Sequence, residues 1–129
     1  MKRRKIFAVS IIVILCLIII VLVNNISKEK GTTLFGFTKP EDMTIEMEIG
    51  SVRNKVERTS DKEKFISYLN NLSYKKVSND VIDGVGVIYI NSENKKWEIG
   101  IAGTKIFYKG KCYKMDKDVY SEMRALAGF

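Results

Sequence analysis

The stretch VGVIYINSENKKWEIGIAGTKIFYKGKCYKM, residues 85–115, decides the fold. It holds successive runs in which apolar and polar residues alternate with a period of two, separated by turn formers. VGVIYIN is rich in β-branched residues, and in KKWEIGIA the large apolar Trp97, Ile99 and Ile101 alternate with Glu98 and Gly100. TKIFYKGKCYKM reads as a hairpin that turns at Lys109-Gly110. A two-residue loop there pairs Tyr108 with Lys111, Phe107 with Cys112, Ile106 with Tyr113 and Thr104 with Met115. Thr104, Ile106, Tyr113 and Met115 are then expected on the core face. Phe107 and Cys112 are expected on the other face with Lys105 and Lys114, so that Cys112 is exposed or at a rim. Trp97 has the chemistry to stack on a sugar or a partner, but its alternation with Ile99 and Ile101 favours the core.

The flanks complete the pattern. MTIEMEIG, residues 43–50, alternates Met43, Ile45, Met47 and Ile49 with Thr44, Glu46 and Glu48, as a half-buried strand does. Gly50-Ser51 reads as a turn, and VRNKVERT as a weaker partner strand. Ser60 and Glu63 then form a capping-box pattern, opening a helix that places Phe65, Ile66, Leu69 and Leu72 on one face. Residues 74–83 fit either a strand or an irregular crossing. In the closing DKDVYSEMRALAGF, Asp116 suits an N-cap, Asp118 the first turn, Arg124 the last turn and Gly128 the C-cap. Val119, Met123 and Leu126 recur on one face. The order β-β-α-(β)-β-β-β-β-α predicts an α+β domain, an antiparallel meander with two helices.

The chain begins differently. Residues 6–23 carry no charge, and fifteen of these eighteen residues are Ile, Leu, Val or Phe. A helix of that length spans about 27 Å, close to the bilayer's hydrocarbon core of about 30 Å. A secretory h-region is shorter and ends at small residues, whereas Leu22, Val23, Asn24 and Asn25 offer no such site. An uncleaved transmembrane anchor is therefore expected. Cys16 does not fit a lipoprotein signal, because Leu15 precedes it and the apolar run continues beyond it. Lys2, Arg3, Arg4 and Lys5 precede the run, so the positive-inside rule leaves the N-terminal side in the cytoplasm and the following domain outside. The expected organisation is residues 1–5 as a basic cytoplasmic segment, 6–23 as the transmembrane helix, 24–40 as a linker and 41–129 as the folded domain.

The net charge is +7. Residues from 24 onward carry 18 Lys plus Arg against 15 Asp plus Glu, only +3. Much of the basicity is thus a topology signal, and nucleic-acid binding is not expected. Of the two cysteines, Cys16 falls in the anchor and Cys112 in the domain, so no intrachain disulfide is expected. The sequence has no histidine, which removes Ser-His-Asp and Cys-His nucleophile pairs and the common zinc sites. DGVG, residues 83–86, is too short for a phosphate-binding loop. Asp80 with Asp83 lacks EF-hand spacing and reads as solvated loop acids. Lys75-Lys76 and Lys95-Lys96 read as solvated pairs. No catalytic, metal or cofactor-binding residue is expected.

The short basic start, the single anchor, KPED, DKEKFISYLNNL, the meander and GKCYKMDKDVYSEM together resemble small membrane-anchored domains of unknown function from Gram-positive bacteria. The resemblance covers most of residues 37–126. It implies a cell-surface location and carries no functional residue over. The expectation is a binding or accessory module, envelope-associated or immunity-like, whose partner is a protein or an envelope polymer. Its expected contact surfaces are Leu34, Phe35 and Phe37 at the end of the linker, and Phe107 with Cys112 on the outer hairpin face. The competing expectation is a histidine-independent envelope enzyme that uses carboxylates or Cys112.

Overall fold

A computed structural model describes residues 2–26, 28–78 and 86–129. The first element is α1 (Lys2–Ile26), whose segment Arg3–Leu22 is long and apolar enough to cross a membrane and is exposed along its length among the described residues. Among the described residues, eight strands form one sheet: β1 (Lys28–Lys30), β2 (Thr44–Ile49), β3 (Val52–Val56), β4 (Ser73–Val77), β5 (Gly86–Asn91), β6 (Lys96–Ala102), β7 (Lys105–Tyr108) and β8 (Lys111–Lys114). Their order is β1-β4-β8-β7-β6-β5-β2-β3, and all seven pairings are antiparallel. Three further helices, α2 (Gly31–Phe35), α3 (Thr59–Asn71) and α4 (Val119–Leu126), and a 3-10 turn at Pro40–Asp42 complete the α+β fold.

The hairpin that anchors this arrangement has the expected register, with Phe107 opposite Cys112 and Ile106 opposite Tyr113. Lys109 and Gly110 both take positive φ, 49° and 73°, as the twist-matched two-residue hairpin turn requires. Beyond the paired residues, the Met115 amide donates to the Thr104 carbonyl at 2.7 Å. On the core face, Ile45 and Met47 of β2 stand opposite Ile90 and Ile88 of β5, which in turn meet Trp97 and Ile99 of β6. All of these are buried, as are Phe65, Ile66, Leu69 and Leu72 from α3 and its end, and Val119 and Met123 from α4. Most of the residues expected in the core are buried, while Ile49, Thr104 and Leu126 are half-buried.

The helix ends depart from the expectation. The helix α3 starts at Thr59 behind Arg58, without a side-chain cap, so Ser60 and Glu63 do not form a capping box. In α4 the cap is Asp118 rather than Asp116, because its carboxylate accepts from the Ser121 amide at 3.2 Å. The ambiguous stretch after residue 72 begins with a strand, β4, while Asp80 and Asp83 lie outside the described residues.

The stretch expected to be a linker is largely part of the fold. The strand β1 pairs with β4, and α2 packs against α3 so closely that a Cβ on Gly31 would fall on the Leu69 carbonyl. Phe35 is only 1% exposed, enclosed by Phe37 (4.9 Å between ring centroids), Tyr74 (5.4 Å) and Tyr108 (4.9 Å). Its carbonyl accepts from Trp97 Nε1 at 2.9 Å and from Lys95 Nζ at 3.0 Å.

The tyrosines of this layer give the domain an alkaline limit. The Tyr74 hydroxyl donates to the Leu69 carbonyl at 2.6 Å, and burial drives its phenol far above the ordinary range. Burial also raises Tyr113, with Glu29 and Tyr108 adding to the shift. A raised folded-state pKa gives stability that is complete below the unfolded phenol value of about 10 and is lost as pH rises beyond it. The urea midpoint is therefore expected to fall between about pH 10 and pH 12, and less steeply in Tyr74→Phe. An equal fall in both proteins would assign the alkaline limit to other groups.

Candidate functional site

The sheet face opposite the core is where exposed chemistry gathers. Across it, Glu48, Val87, Gly100, Phe107, Cys112 and Val77 stand side by side in register on β2, β5, β6, β7, β8 and β4. Gly100 interrupts this row with no side chain. An open depression of about 470 Å³ results, with Val87, Gly100 and Phe107 at its floor and Lys96, Glu98 and Lys109 around it. Glycine inside a strand marks a place where another group approaches the backbone closely, and the volume lies in the range of small-ligand sites. The alternation of KKWEIGIA places Gly100 on the outer face. The depression becomes visible only when β5 and β7 are known to flank it.

At one end of this face Arg53 donates to Glu48 through Nε at 2.9 Å and Nη2 at 2.6 Å, and to Glu46 through Nη1 at 3.3 Å. Its guanidinium also lies 4.5 Å from the centre of the Tyr89 ring. The Glu48 hydrogen bond raises the Arg53 pKa further. Both carboxylates are thus engaged by one arginine rather than poised as an acid–base pair.

A second hollow, about 510 Å³, lies between α3 and α4 and is lined by Tyr68, Ser67, Leu72 and Leu126. Lys117 Nζ sits 4.9 Å from the centre of the Tyr68 ring and 3.6 Å from Glu122 Oε2. Burial first, and then Glu122, push the Tyr68 phenol up. Among the described residues, no group of three His, Cys, Asp or Glu side chains is placed to hold a metal ion.

The two expected contact surfaces lie on opposite faces of the sheet. Phe35 is core, and Phe37 is half-buried between Phe35 and Trp97, 5.2 Å from the latter. Leu34 is half-buried beside them. These three lie on the core side of the sheet because Trp97 does. Phe107 stands on the outer face, half-buried, as expected. Cys112 shares that face but is fully buried, not exposed or at a rim. Its short side chain sits between Phe107 and Val77 in register, both larger. Arg3, Arg4 and Lys5 are exposed on the first turns of α1, which Lys2 begins.

The chain matches no protein-family model, no curated protein and no solved structure.

Proposed function

We propose that this chain is a single-pass accessory protein of a bacterial cell membrane, of the Gram-positive type. Its domain is held outside the cell and works by binding a partner at the outer sheet face around Phe107. The observation that carries this reading is the Gly100–Phe107 depression, a half-buried aromatic beside a glycine on a domain that follows an apolar helix. The basic residues Lys2, Arg3, Arg4 and Lys5 support the orientation, because positive charge is retained on the cytoplasmic side. Tethering raises the effective concentration of the domain for a partner at the same surface. A protein or an envelope polymer fits an open depression better than a small metabolite does. The burial of Cys112 counts against nucleophilic chemistry there, since a reactive thiol must be reached by its substrate.

A photo-crosslinking residue at position 107, activated on intact cells, tests this. The expected result is one discrete adduct, absent when Lys109→Glu accompanies it. Phe107→Asp should abolish the phenotype at unchanged protein level, and external protease should digest the domain. Full phenotype in Phe107→Asp overturns the surface, a protected domain overturns the orientation, and turnover of a wall or lipid substrate by the purified chain overturns binding as the function.

A further inference from the structure

The length of the tether decides what this domain can touch. As the free linker that the sequence suggests, residues 24–40 would reach about 55–60 Å when extended. The structure folds most of that stretch into the domain. One position, 27, separates the end of α1 at Ile26 from the start of β1 at Lys28. The three residues of β1 are paired at once with β4, Lys28 with Lys75, Glu29 with Tyr74 and Lys30 with Ser73. Gly31 follows, held so close to α3 that a Cβ would meet the Leu69 carbonyl. Phe35 is buried, and its carbonyl is fastened by Trp97 Nε1 and Lys95 Nζ. From Lys28 to Phe37 the chain therefore belongs to the domain and not to a tether.

The register converts this into a distance. Two Cα–Cα steps of about 3.8 Å keep Lys28 within about 8 Å of Ile26. Lys28, Lys75, Lys114 and Lys105 stand opposite one another in turn, so β7 lies three strand spacings from β1. A spacing is about 4.8 Å, and Phe107 is two residues of about 3.3 Å further along β7 than Lys105, which puts it about 16 Å from Lys28. The surface around Phe107 thus lies within about 24 Å of the end of α1, however the domain tilts. Even β3, seven spacings from β1, stays within about 45 Å. A partner has to be at the bilayer to be met.

Charge narrows the kind of partner. Residues from 24 onward carry 18 Lys plus Arg against 15 Asp plus Glu, and both signs, Lys96, Glu98 and Lys109, border the depression. A polymer of one repeated charge is opposed by part of such a surface, whereas a protein surface can match both signs. We infer that the partner is another membrane-embedded protein, met through the part that it exposes close to the leaflet. This deepens the proposed binding role and rests on the proposed anchor. Both proteins then search one plane, and the short tether keeps the domain at the height where the partner's loops emerge.

The full chain in vesicles tests the tether. Energy transfer from a donor side chain at position 109 to acceptor-labelled lipids is expected to fall about threefold or more when a helical spacer of about 30 residues, about 45 Å long, is inserted after Ser27. Equal transfer with and without the spacer overturns the inference. On cells, a photo-crosslinker at position 107 is expected to capture a membrane-spanning protein, and the spacer to lower the yield about tenfold or more. An adduct with a soluble protein, a wall polymer or a lipid-linked polymer overturns the inference, as does a yield that stays within about twofold in the spacer variant. A second crosslinker in place of Lys64 on α3 separates the readings. A membrane protein captured there and not at 107 overturns the Phe107 surface alone, and no adduct at either position overturns both. A chain that carbonate washes off the membrane loses the anchor and this inference together.

Discussion

A fragment of residues 41–129 is expected to be largely unfolded under conditions in which residues 28–129 fold cooperatively. Residues 28–40 supply a strand, the helix that Gly31 lets approach α3, and the Phe35 side chain at the centre of an aromatic layer. Loss of a buried Phe side chain alone costs about 3–5 kcal/mol, a large share of the roughly 5–15 kcal/mol that stabilises a domain. Trp97 Nε1 and Lys95 Nζ would also lose the Phe35 carbonyl. Water can take that place, but only by wetting the space between Trp97, Tyr74 and Tyr108, whose burial the segment completes. Circular dichroism with urea unfolding measures the difference. A midpoint for 41–129 within error of that for 28–129 would mean that the segment only decorates the domain.

The same segment shows where the sequence stops being legible. The strand β1 is Lys-Glu-Lys, three exposed charged residues with no apolar alternation, and it is a strand only because β4 offers it an edge. The helix α2 is five residues long, shorter than any periodicity can declare. By contrast, residues 86–115 announced their strands, turn and register, because a two-residue loop at Lys109-Gly110 leaves one pairing and alternation then assigns each face. Helix ends fell between these cases. Ser60 and Asp116 each had the chemistry of a cap, but which residue turns the chain is decided by what the helix packs against, and sequence spacing does not carry that.

The candidate site was half legible for a related reason. Alternation put Phe107 and Cys112 on the outer face correctly, yet face and exposure differ. Cys112 is fully buried and Phe107 half-buried although they stand opposite each other on that face. That Lys28, Lys75, Lys114 and Lys105 stand opposite one another in turn was invisible, because it needs the strand order β1-β4-β8-β7. Read locally, Lys75 was a solvated charge and Lys105 and Lys114 were hairpin lysines. Only the non-sequential neighbours β4 and β8 bring them together.

Trp97→Ala is expected to destabilise the folded domain by about 3–5 kcal/mol, the range for deletion of a buried Trp side chain. Trp97 is 1% exposed on a strand with sheet neighbours on both sides. Its ring meets Phe37 at 5.2 Å, carries Lys95 Nζ at 4.9 Å and donates to the Phe35 carbonyl at 2.9 Å. The indole therefore pins the segment that follows the apolar helix to the middle of the sheet. Trp97→Phe separates the two contributions. It keeps most of the volume and removes the indole N–H, leaving the carbonyl to Lys95, and should cost about 0.5–1.5 kcal/mol, the net contribution of one hydrogen bond whose acceptor keeps another donor. Urea midpoints at constant m-value measure both variants. If Phe is as damaging as Ala, the hydrogen bond to Phe35 holds the layer together and packing contributes little. If both fall within about 0.5 kcal/mol of the parent, the size of an ordinary surface substitution, the aromatic layer is not the keystone that joins residues 28–37 to the sheet.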